Sequence, residues 1–378
     1  MSDHAKRVLE HFGLREQPFA ATTDPAYFHA APPFREALFR LWNHIDERQG
    51  IAVVLGNCGS GKTTLLRKML SGLAEAGDAY KVALIDSPLP MWTSYDLIMT
   101  MNQRLGVTPA EFTFNGQMEA LHRFLHEERG RITTLIIDDA QNLNKRGQLE
   151  LMRLAQNLET SQHKLLNILL FAQLEWKEVL KAVPNFRQRI NVTYSLAPLS
   201  LEDTWDLIAF RLRQAGAASP ASVFNEEAVM LIHAFTGGRP RETVNVCRNA
   251  MLTAARIAQP VVDADVTLHT IDRTAAPNEA ARRKIEALVE QWDREGRRGG
   301  TSPARKPETP MSEGQDRESS DSKSGGEEFG VQLGEETSGA ATTRREDEER
   351  ANQLLLRVAQ DREKNTKARE EEDRSADE

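Results

Sequence analysis

The first 273 residues alternate between short apolar runs and longer stretches whose apolar residues recur at helical spacing. Short apolar runs bounded by Gly, Pro, Asp or Ser are typical of buried strands, and the longer pattern is typical of amphipathic helices. The predicted strands cover 51–55, 81–86, 133–139, 165–173 and 192–196. The predicted helices among them cover 34–48, 64–73, 94–105, 116–129, 148–159 and 176–183.

After residue 200 the strand pattern stops, and only helical periodicity remains. Gly237 and Gly238 suit a helix C-cap and a tight turn, and Pro240 suits the first position of the next helix. The alternation before residue 200 predicts an α/β domain with a three-layer parallel sheet, and the later pattern predicts a helical lid. The helices predicted in the lid and its extension cover 203–215, 225–235, 241–258, 264–273 and 278–294.

Composition divides the chain near residue 296. Residues 297–378 carry 15 Lys/Arg and 21 Asp/Glu, which leaves 33 and 35 for residues 1–296. The tail is also rich in Gly, Ser and Pro and is expected to be disordered, with a charged helix over 343–372 as one option. It either docks a partner or only adds solubility. The predicted domains are 1–48 (arm and helix), 49–198 (α/β), 199–296 (lid and extension) and 297–378 (tail).

Charge, cysteines and apolar runs restrict the cellular setting. The nearly neutral residues 1–296 do not indicate a broad cationic surface for nucleic acid, although a local basic stripe inside an oligomer remains open. Cys58 and Cys247 lie far apart without metal-ligand spacing, which favours a reducing compartment. No apolar run is long enough to span a bilayer, and the N-terminus lacks a secretory pattern. A soluble, cytoplasmic protein without a transmembrane segment is expected.

The strongest candidate for chemistry follows the first predicted strand, Ile51–Leu55. The sequence there has the spacing G-x-x-x-x-G-K-T and runs into a predicted helix, which is the order a phosphate cradle (Walker A motif) requires. Its glycines allow backbone amides to face anionic oxygens, Lys62 would reach the terminal phosphates, and the Thr63 hydroxyl would hold Mg²⁺. The predicted phosphate-binding residues are Gly56, Asn57, Cys58, Gly59, Ser60, Gly61, Lys62, Thr63 and Thr64.

Two other strands end in polar residues that suit the same chemistry. The strand at 133–139 ends in Asp138 and Asp139, and parallel sheets present ligand-binding groups at the carboxyl ends of their strands. Asp138 would position Mg²⁺ as a Walker B carboxylate, and Asp139 would orient or deprotonate the attacking water. Gln173 ends the next strand, so it would lie beside the acidic pair and sense the γ-phosphate or the water.

Three arginines and the aromatic arm complete the candidate site. Arg241 begins a lid helix and could reach bound phosphates. Arg187 and Arg189 precede the last strand, where a ring ATPase would present an arginine to the neighbouring subunit's nucleotide; Arg189 is the preferred finger. The aromatic residues between positions 11 and 28 are separated by Pro and Thr, which predicts an extended arm rather than a helix. That arm either helps to form an adenine pocket or packs on the core.

These motifs, in this order, resemble the AAA+ ATPases of the ExeA/GspA secretion type, whose relatives include the TnsC/TniB transposition ATPases. The resemblance covers about residues 8–273 and implies ATP and Mg²⁺ as ligands, ATP hydrolysis, a homo-oligomeric ring or filament, and the site roles given above. The residues that carry it are Phe12-Gly13-Leu14, Pro18-Phe19, Asp24-Pro25, Arg35–Leu38, the phosphate loop, Leu135–Asn142, Asn157–Glu159, Gln188–Ile190, Pro198–Ser200 and Gly237–Arg241.

The chain also departs from that family's pattern. Asp138-Asp139 replaces the usual Asp-Glu, so the water-activating carboxylate is one methylene shorter and hydrolysis is expected to be slow. Gln173-Leu174-Glu175 replaces Gln-Pro-Glu, which puts the sensor geometry in doubt. Cys58 makes the loop sensitive to oxidation or is simply a tolerated small residue. Secretion members often continue into a transmembrane helix and a cell-wall-binding domain, where this sequence has the charged tail.

Three functional classes remain from the sequence. The first is an ATPase that assembles or remodels a partner complex of a secretion or cell-surface apparatus. The second is a DNA-associated ATPase that regulates transposition, and the third is an ATP-dependent switch with little hydrolysis. The arm motifs and the nearly neutral core favour the first, with a protein partner whose identity the residues do not reveal.

Overall fold

The computed structural model describes residues 3–20, 25–274 and 279–295. The predicted tail 297–378, its helix over 343–372 and Asp24 of the arm motif lie outside the described residues. The boundaries proposed for the four domains stay predictions.

A five-stranded sheet forms the centre of the α/β part, and every strand pairing in it is parallel. The spatial order β2-β3-β4-β1-β5 places β4 between the strand that precedes the phosphate loop and the strand that ends in the acidic pair. The predicted α/β fold with a parallel sheet is therefore confirmed. The strands are β1 (Ile51–Leu55), β2 (Tyr80–Ile85), β3 (Ile132–Ile137), β4 (Leu166–Ala172) and β5 (Ile190–Ser195).

Helices cover both faces of the sheet, which gives three layers. In β1, Val53 and Leu55 face one hydrophobic cluster, and Ala52 and Val54 face another. Both faces being buried explains why β1, β3 and β4 read as nearly continuous apolar runs. The helices of this part are α2 (Pro32–Asp46), α3 (Lys62–Glu75), α4 (Ser94–Leu105), α5 (Phe114–Glu127), α6 (Arg146–Ala155), α7 (Trp176–Ala182) and α8 (Pro184–Arg187).

The prediction of a helix over 148–159 is wrong at its C-terminal end. α6 stops at Ala155, and Glu159 instead forms an antiparallel bridge with Lys164. The buried Gln156 side chain donates a 2.9 Å hydrogen bond to the Leu166 carbonyl, which fixes the chain as it turns toward β4. The hydrogen bond between the buried Gln156 side chain and β4 stabilises this turn more than an additional turn of helix would.

The N-terminal segment contains a helix that the sequence pattern missed, α1 (Asp3–Phe12). It places Val8 and Leu9 in the hydrophobic core of the lid. Apart from Leu14 and Phe19, the buried members of that core lie at Ile208 and beyond, so local spacing alone gave a weak signal. From Gly13 to Ala20 the chain follows turns without helix, as predicted for the arm.

The described part of the lid consists of helices joined by loops, with an isolated parallel bridge between Phe224 and Val262, and it has its own hydrophobic core. Gly237 adopts a left-handed conformation (φ 59°) as the C-cap of one helix, and Pro240 begins the next, as the sequence predicts. None of the helices in the described ranges has the length and hydropathy needed to span a bilayer. The lid helices are α9 (Leu201–Gln214), α10 (Glu226–Thr236), α11 (Pro240–Arg256), α12 (Ala264–Thr274) and α13 (Glu279–Glu295).

Candidate nucleotide-binding site

The phosphate loop joins β1 to α3 as a turn that depends on two glycines. Gly59 (φ 74°) and Gly61 (φ 95°) are in the left-handed region, which residues with a side chain rarely adopt. Gly61 is the N-cap of α3, and no side chain caps this helix. The first amides of a helix have no intrahelical acceptor, so the start of α3 presents free donors and the positive end of its dipole. This arrangement suits a bound anion.

Lys62 crosses the loop that it belongs to. Its ammonium donates to the carbonyls of Gly56 (2.8 Å) and Asn57 (3.0 Å). Burial lowers the pKa of Lys62, and the nearby Asp138 carboxylate acts in the opposite direction. A buried cation held only by carbonyls lacks a direct anionic partner, so a phosphate oxygen would complete its surroundings.

Thr63 and Asp138 meet at the edge of this loop. The Thr63 hydroxyl donates a 2.8 Å hydrogen bond to Oδ2 of Asp138, and the backbone amide of Asp139 donates to Oδ1 at 3.0 Å. Burial raises the pKa of the Asp138 carboxyl despite both hydrogen bonds. The fold thus brings these two predicted site residues together, with β4 lying between β1, which leads into the loop, and β3, which leads to Asp138.

Asp139 and Gln173 lie at the ends of the neighbouring strands β3 and β4, as the sequence predicts. They are joined by a residue that the sequence argument did not single out. Gln141 donates through Nε2 to Oδ1 of Asp139 (2.9 Å) and accepts through Oε1 from the Gln173 amide (3.2 Å). The sequence signals for Gln141 were its place two residues after Asp139 and its position within Leu135–Asn142, but neither indicated a role for its side chain.

A cavity of about 610 Å³ opens above the loop, a volume within the range of small-ligand sites. Three parts of the chain contribute to it: the arm with the start of α2, the phosphate loop with the strand ends, and the lid. The lining residues from these parts are Ala20, Tyr27, Phe28, His29, Ala31, Phe34, residues 58–64, Asp139, Gln173, Leu199, Leu207, Arg211, Pro240, Arg241, Val244 and Asn245.

Some residues of the arm line the cavity and others pack in the lid core, while the adenine pocket stays a prediction. Phe28 and His29 line the cavity, and Phe28 packs edge-to-face on Phe34 (ring centroids 5.6 Å apart). Phe19 is instead buried in the lid core against Phe224 (5.8 Å). The arm therefore both lines the cavity and anchors itself in the lid.

Arg241 reaches the cavity from the first turn of α11. Arg187 and Arg189 are exposed and are not among the described residues that line it. Ile190, next to Arg189, is in register with Ile51, at the amino edge of the sheet. The phosphate loop begins at the carboxyl edge, about 16 Å away at the rise of a parallel strand. Arg189 therefore lies near the edge of the sheet opposite the cavity.

The donor set suits a nucleotide with Mg²⁺. Thr63 and Asp138 offer the hard oxygen ligands that Mg²⁺ prefers, beside free amides and the Lys62 ammonium. The buried Ser60 hydroxyl has no hydrogen-bond partner among the described residues, although it lies in the loop that lines the cavity. Buried polar atoms normally have partners, so the hydrogen-bonding capacity of this hydroxyl is unmet among the described residues.

Comparison with known proteins identifies a matching domain family and a related protein. Residues 45–180 match the family model described as AAA domain. The chain is 31% identical over 264 residues to general secretion pathway protein A of Aeromonas hydrophila, an alignment that covers 68% of this chain. It spans only about half (47%) of that relative's length.

Solved structures of similar architecture include ORC2 of Aeropyrum pernix, with 16% identity and a TM-score of 0.49 over 69% of this chain and 74% of that one. RuvB of Thermotoga maritima has 14% identity and a TM-score of 0.45 over 71% and 76% of the two chains. Similarity at this level carries no functional information.

The AAA domain match covers the phosphate loop, the acidic strand end and Gln173. The match to the secretion protein extends the similarity well beyond that domain. The chain therefore belongs to the AAA ATPases of the ExeA/GspA type.

Proposed function

We propose that this protein binds ATP with Mg²⁺, hydrolyses it, and uses the cycle to assemble or remodel a partner complex as a homo-oligomer. The observation that carries the proposal is the 2.8 Å contact between Thr63 and Asp138 beside the Lys62 ammonium. A hydroxyl, a carboxylate and a buried cation converge there at the start of a helix, which is the donor set that a magnesium nucleotide requires.

Each group has a role set by its chemistry. The amides at the start of α3 and Lys62 bind the phosphates, and Thr63 and Asp138 hold Mg²⁺, which neutralises phosphate charge when bound. Water forms a bond to the γ-phosphorus while the bond to the β–γ bridging oxygen breaks. Asp139 accepts the proton from that water, and ADP and inorganic phosphate are the products. Gln173 orients the water from the neighbouring strand end.

The upper part of the cavity suits a purine base. Phe28 and His29 approach it from the arm, and Leu207 and Val244 approach it from the lid. Burial lowers the pKa of His29, which favours the neutral ring that an aromatic base can stack on. The base would then hold the arm and the lid together around the nucleotide.

In an oligomer, an adjacent subunit would supply the arginine that stabilises the charge of the transition state. Arg189 cannot serve its own cavity from the opposite edge of the sheet, but its exposed side chain can reach the nucleotide of an adjacent subunit. A ring or filament would therefore make hydrolysis depend on contact between subunits.

The process served is proposed from the named relative, a general secretion pathway protein, and from the nearly neutral residues 1–296. Both favour a protein complex of a secretion or cell-surface apparatus as the partner. Gel filtration and DNA binding with ATP or ADP provide the test. Association driven by ATP without DNA would support the proposal, and ATP-dependent DNA binding that weakens with salt would replace it with the transposition class.

Single-turnover hydrolysis of labelled ATP tests the enzymatic part. We expect ADP to form with Mg²⁺ and not after chelation, and to be lost in Asp138→Ala and Asp139→Ala. Asp139→Glu should retain or raise the rate, because the longer carboxylate reaches further toward the water. If the wild type binds ATP but forms no ADP in any oligomeric state while Asp139→Glu does, the protein is a switch rather than an ATPase.

A further inference from the structure

Gln141 lies behind the cavity wall rather than in it. It belongs to the short 3₁₀ turn Ala140–Asn142 that follows Asp139, and its side chain is half-buried. Asp139 and Gln173 line the cavity on the ends of neighbouring strands. Gln141 contacts both residues from behind the cavity wall. Any effect that it has on a ligand therefore passes through Asp139 and Gln173.

The orientation of the Gln141 carboxamide is determined by its partners. Its NH₂ group donates to the Asp139 carboxylate (2.9 Å), and its carbonyl accepts from the backbone amide of Gln173 (3.2 Å). The reverse orientation would place an oxygen against a carboxylate and an NH₂ group against an N–H. The carboxamide of Gln offers a donor and an acceptor from one planar, uncharged group, as both contacts require.

The turn that carries Gln141 is itself held in place. The Asn142 amide bonds to the Asp139 carbonyl (3.0 Å), and the buried Trp176 indole donates to the Leu143 carbonyl (3.1 Å). Asp139 adopts a left-handed backbone conformation (φ 49°), which non-glycine residues rarely maintain unless the surroundings impose it. The side chain of Gln141 therefore projects from a backbone that is anchored on both sides.

We propose that Gln141 is a positioning residue that holds the Asp139 carboxylate and the Gln173 strand end in one fixed arrangement for hydrolysis. It donates to Oδ1 of Asp139, so Oδ2 would be the oxygen that accepts the proton of the water. The same side chain accepts from the backbone amide of Gln173, which ties the carboxylate to the end of β4 that carries the Gln173 side chain. This inference rests on the proposed ATPase activity.

Preorganisation of this kind acts on turnover rather than on affinity. The phosphates are bound by the loop and Lys62, none of which touches the Gln141 bridge. Loss of the bridge should therefore lower kcat by roughly 10- to 100-fold, the scale of misplacing a reacting group by about 1 Å. The affinity for ATP should change by less than about twofold, since the groups that bind phosphate are unaltered.

Three variants separate positioning from a structural role. Gln141→Ala removes both hydrogen bonds, whereas Gln141→Glu keeps the size and the acceptor for Gln173 but replaces the donor to Asp139 with a second carboxylate. Asn142→Ala is the matched control in the same turn, because its side chain is not part of the bridge. Single-turnover rates, binding of an anthraniloyl-labelled ATP and thermal unfolding are measured for each.

We expect Gln141→Ala and Gln141→Glu to lose turnover while they bind the labelled ATP and unfold like the wild type, and Asn142→Ala to remain active. Wild-type turnover in Gln141→Glu would overturn the proposal, because the missing donor would then be irrelevant. Equal losses of turnover, affinity and thermal stability in all three variants would also overturn it, by showing a structural role alone. Absence of ATPase activity in the wild type would overturn the proposed function and this inference together.

Discussion

The backbone amide of Arg241 donates a 3.2 Å hydrogen bond to the carbonyl of Gly59, which joins the first turn of α11 to the phosphate loop. A Cβ at Gly59 would lie only 3.0 Å from the Cβ of Arg241. The two backbones can therefore approach this closely because residue 59 is a glycine. The lid therefore contacts the loop directly. Movement of phosphate-binding amides would be transmitted to α11 without an intervening element.

Gly59→Ala should weaken nucleotide binding, because it strains a left-handed residue and pushes against Arg241 at the same time. Gly77→Ala is the matched control: Gly77 also has a left-handed φ (71°), but a Cβ there has no heavy atom within 4 Å. Each change should cost about 1–2 kcal/mol of folding free energy. Only Gly59→Ala should lose affinity in titrations with labelled ATP, and equal affinity in the two variants would contradict the contact's role.

Lys62→Ala should abolish nucleotide binding, since it removes the buried ammonium that crosses the loop between Gly56 and Asn57. Lys68→Ala, an exposed change on the same helix, serves as the control. Isothermal titration with ATP and Mg²⁺ measures both. Wild-type affinity in Lys62→Ala would count against the site.

Arg189→Ala should retain ATP binding but lose turnover, if the arginine serves a neighbouring subunit as proposed. An equimolar mixture with Lys62→Ala should recover part of the activity: one variant has an intact pocket and the other an intact arginine. Arg187→Ala in the same mixture is the control. If the mixture stays inactive while the subunits co-assemble, Arg189 does not act between subunits.

Stability should fall as the pH is lowered below about 6.5, the usual pKa of histidine. Burial lowers the pKa of His44 although its hydrogen bonds to Gly50 and Gln49 act against this. Below that pH, His44 binds a proton more readily in the unfolded chain than in the folded chain, so acid favours unfolding. Urea unfolding at about pH 8 and about pH 5.5 measures the difference.

His44→Gln should reduce that pH dependence without removing it, because burial also lowers the pKa of His29, His163 and His233. Asp138 works in the opposite direction. Its raised pKa means that the folded chain gains stability as the pH falls through that value. An unchanged pH dependence in His44→Gln would show that His44 does not contribute.

Removal of residues 297–378 should leave ATP affinity unchanged, because the described residues that line the cavity all lie between Ala20 and Asn245. Titration of the shortened chain with labelled ATP, beside the full chain, is the measurement. A shortened protein that unfolds at the same temperature but fails to bind would assign the tail a part in the site.

Much of the fold was predictable because its signals are local. The helix predicted over 94–105 has the same bounds in the structure, where Thr93 is its N-cap and Gly106 is its C-cap. Helix α1 was missed because its apolar face is covered by the lid core. The end of α6 was placed too late, since a buried hydrogen bond from Gln156 to β4 decides it.

The sequence by itself determined the phosphate loop, the acidic strand end and the α/β order, because each depends on neighbouring residues and on the period of a strand or helix. The tertiary structure decided which distant groups meet: Thr63 with Asp138, Gly59 with Arg241, and Gln141 between two strand ends. Those contacts follow from the strand order and the packing of the lid. Neither leaves a regular spacing in the chain, since both arise from elements that are far apart along it.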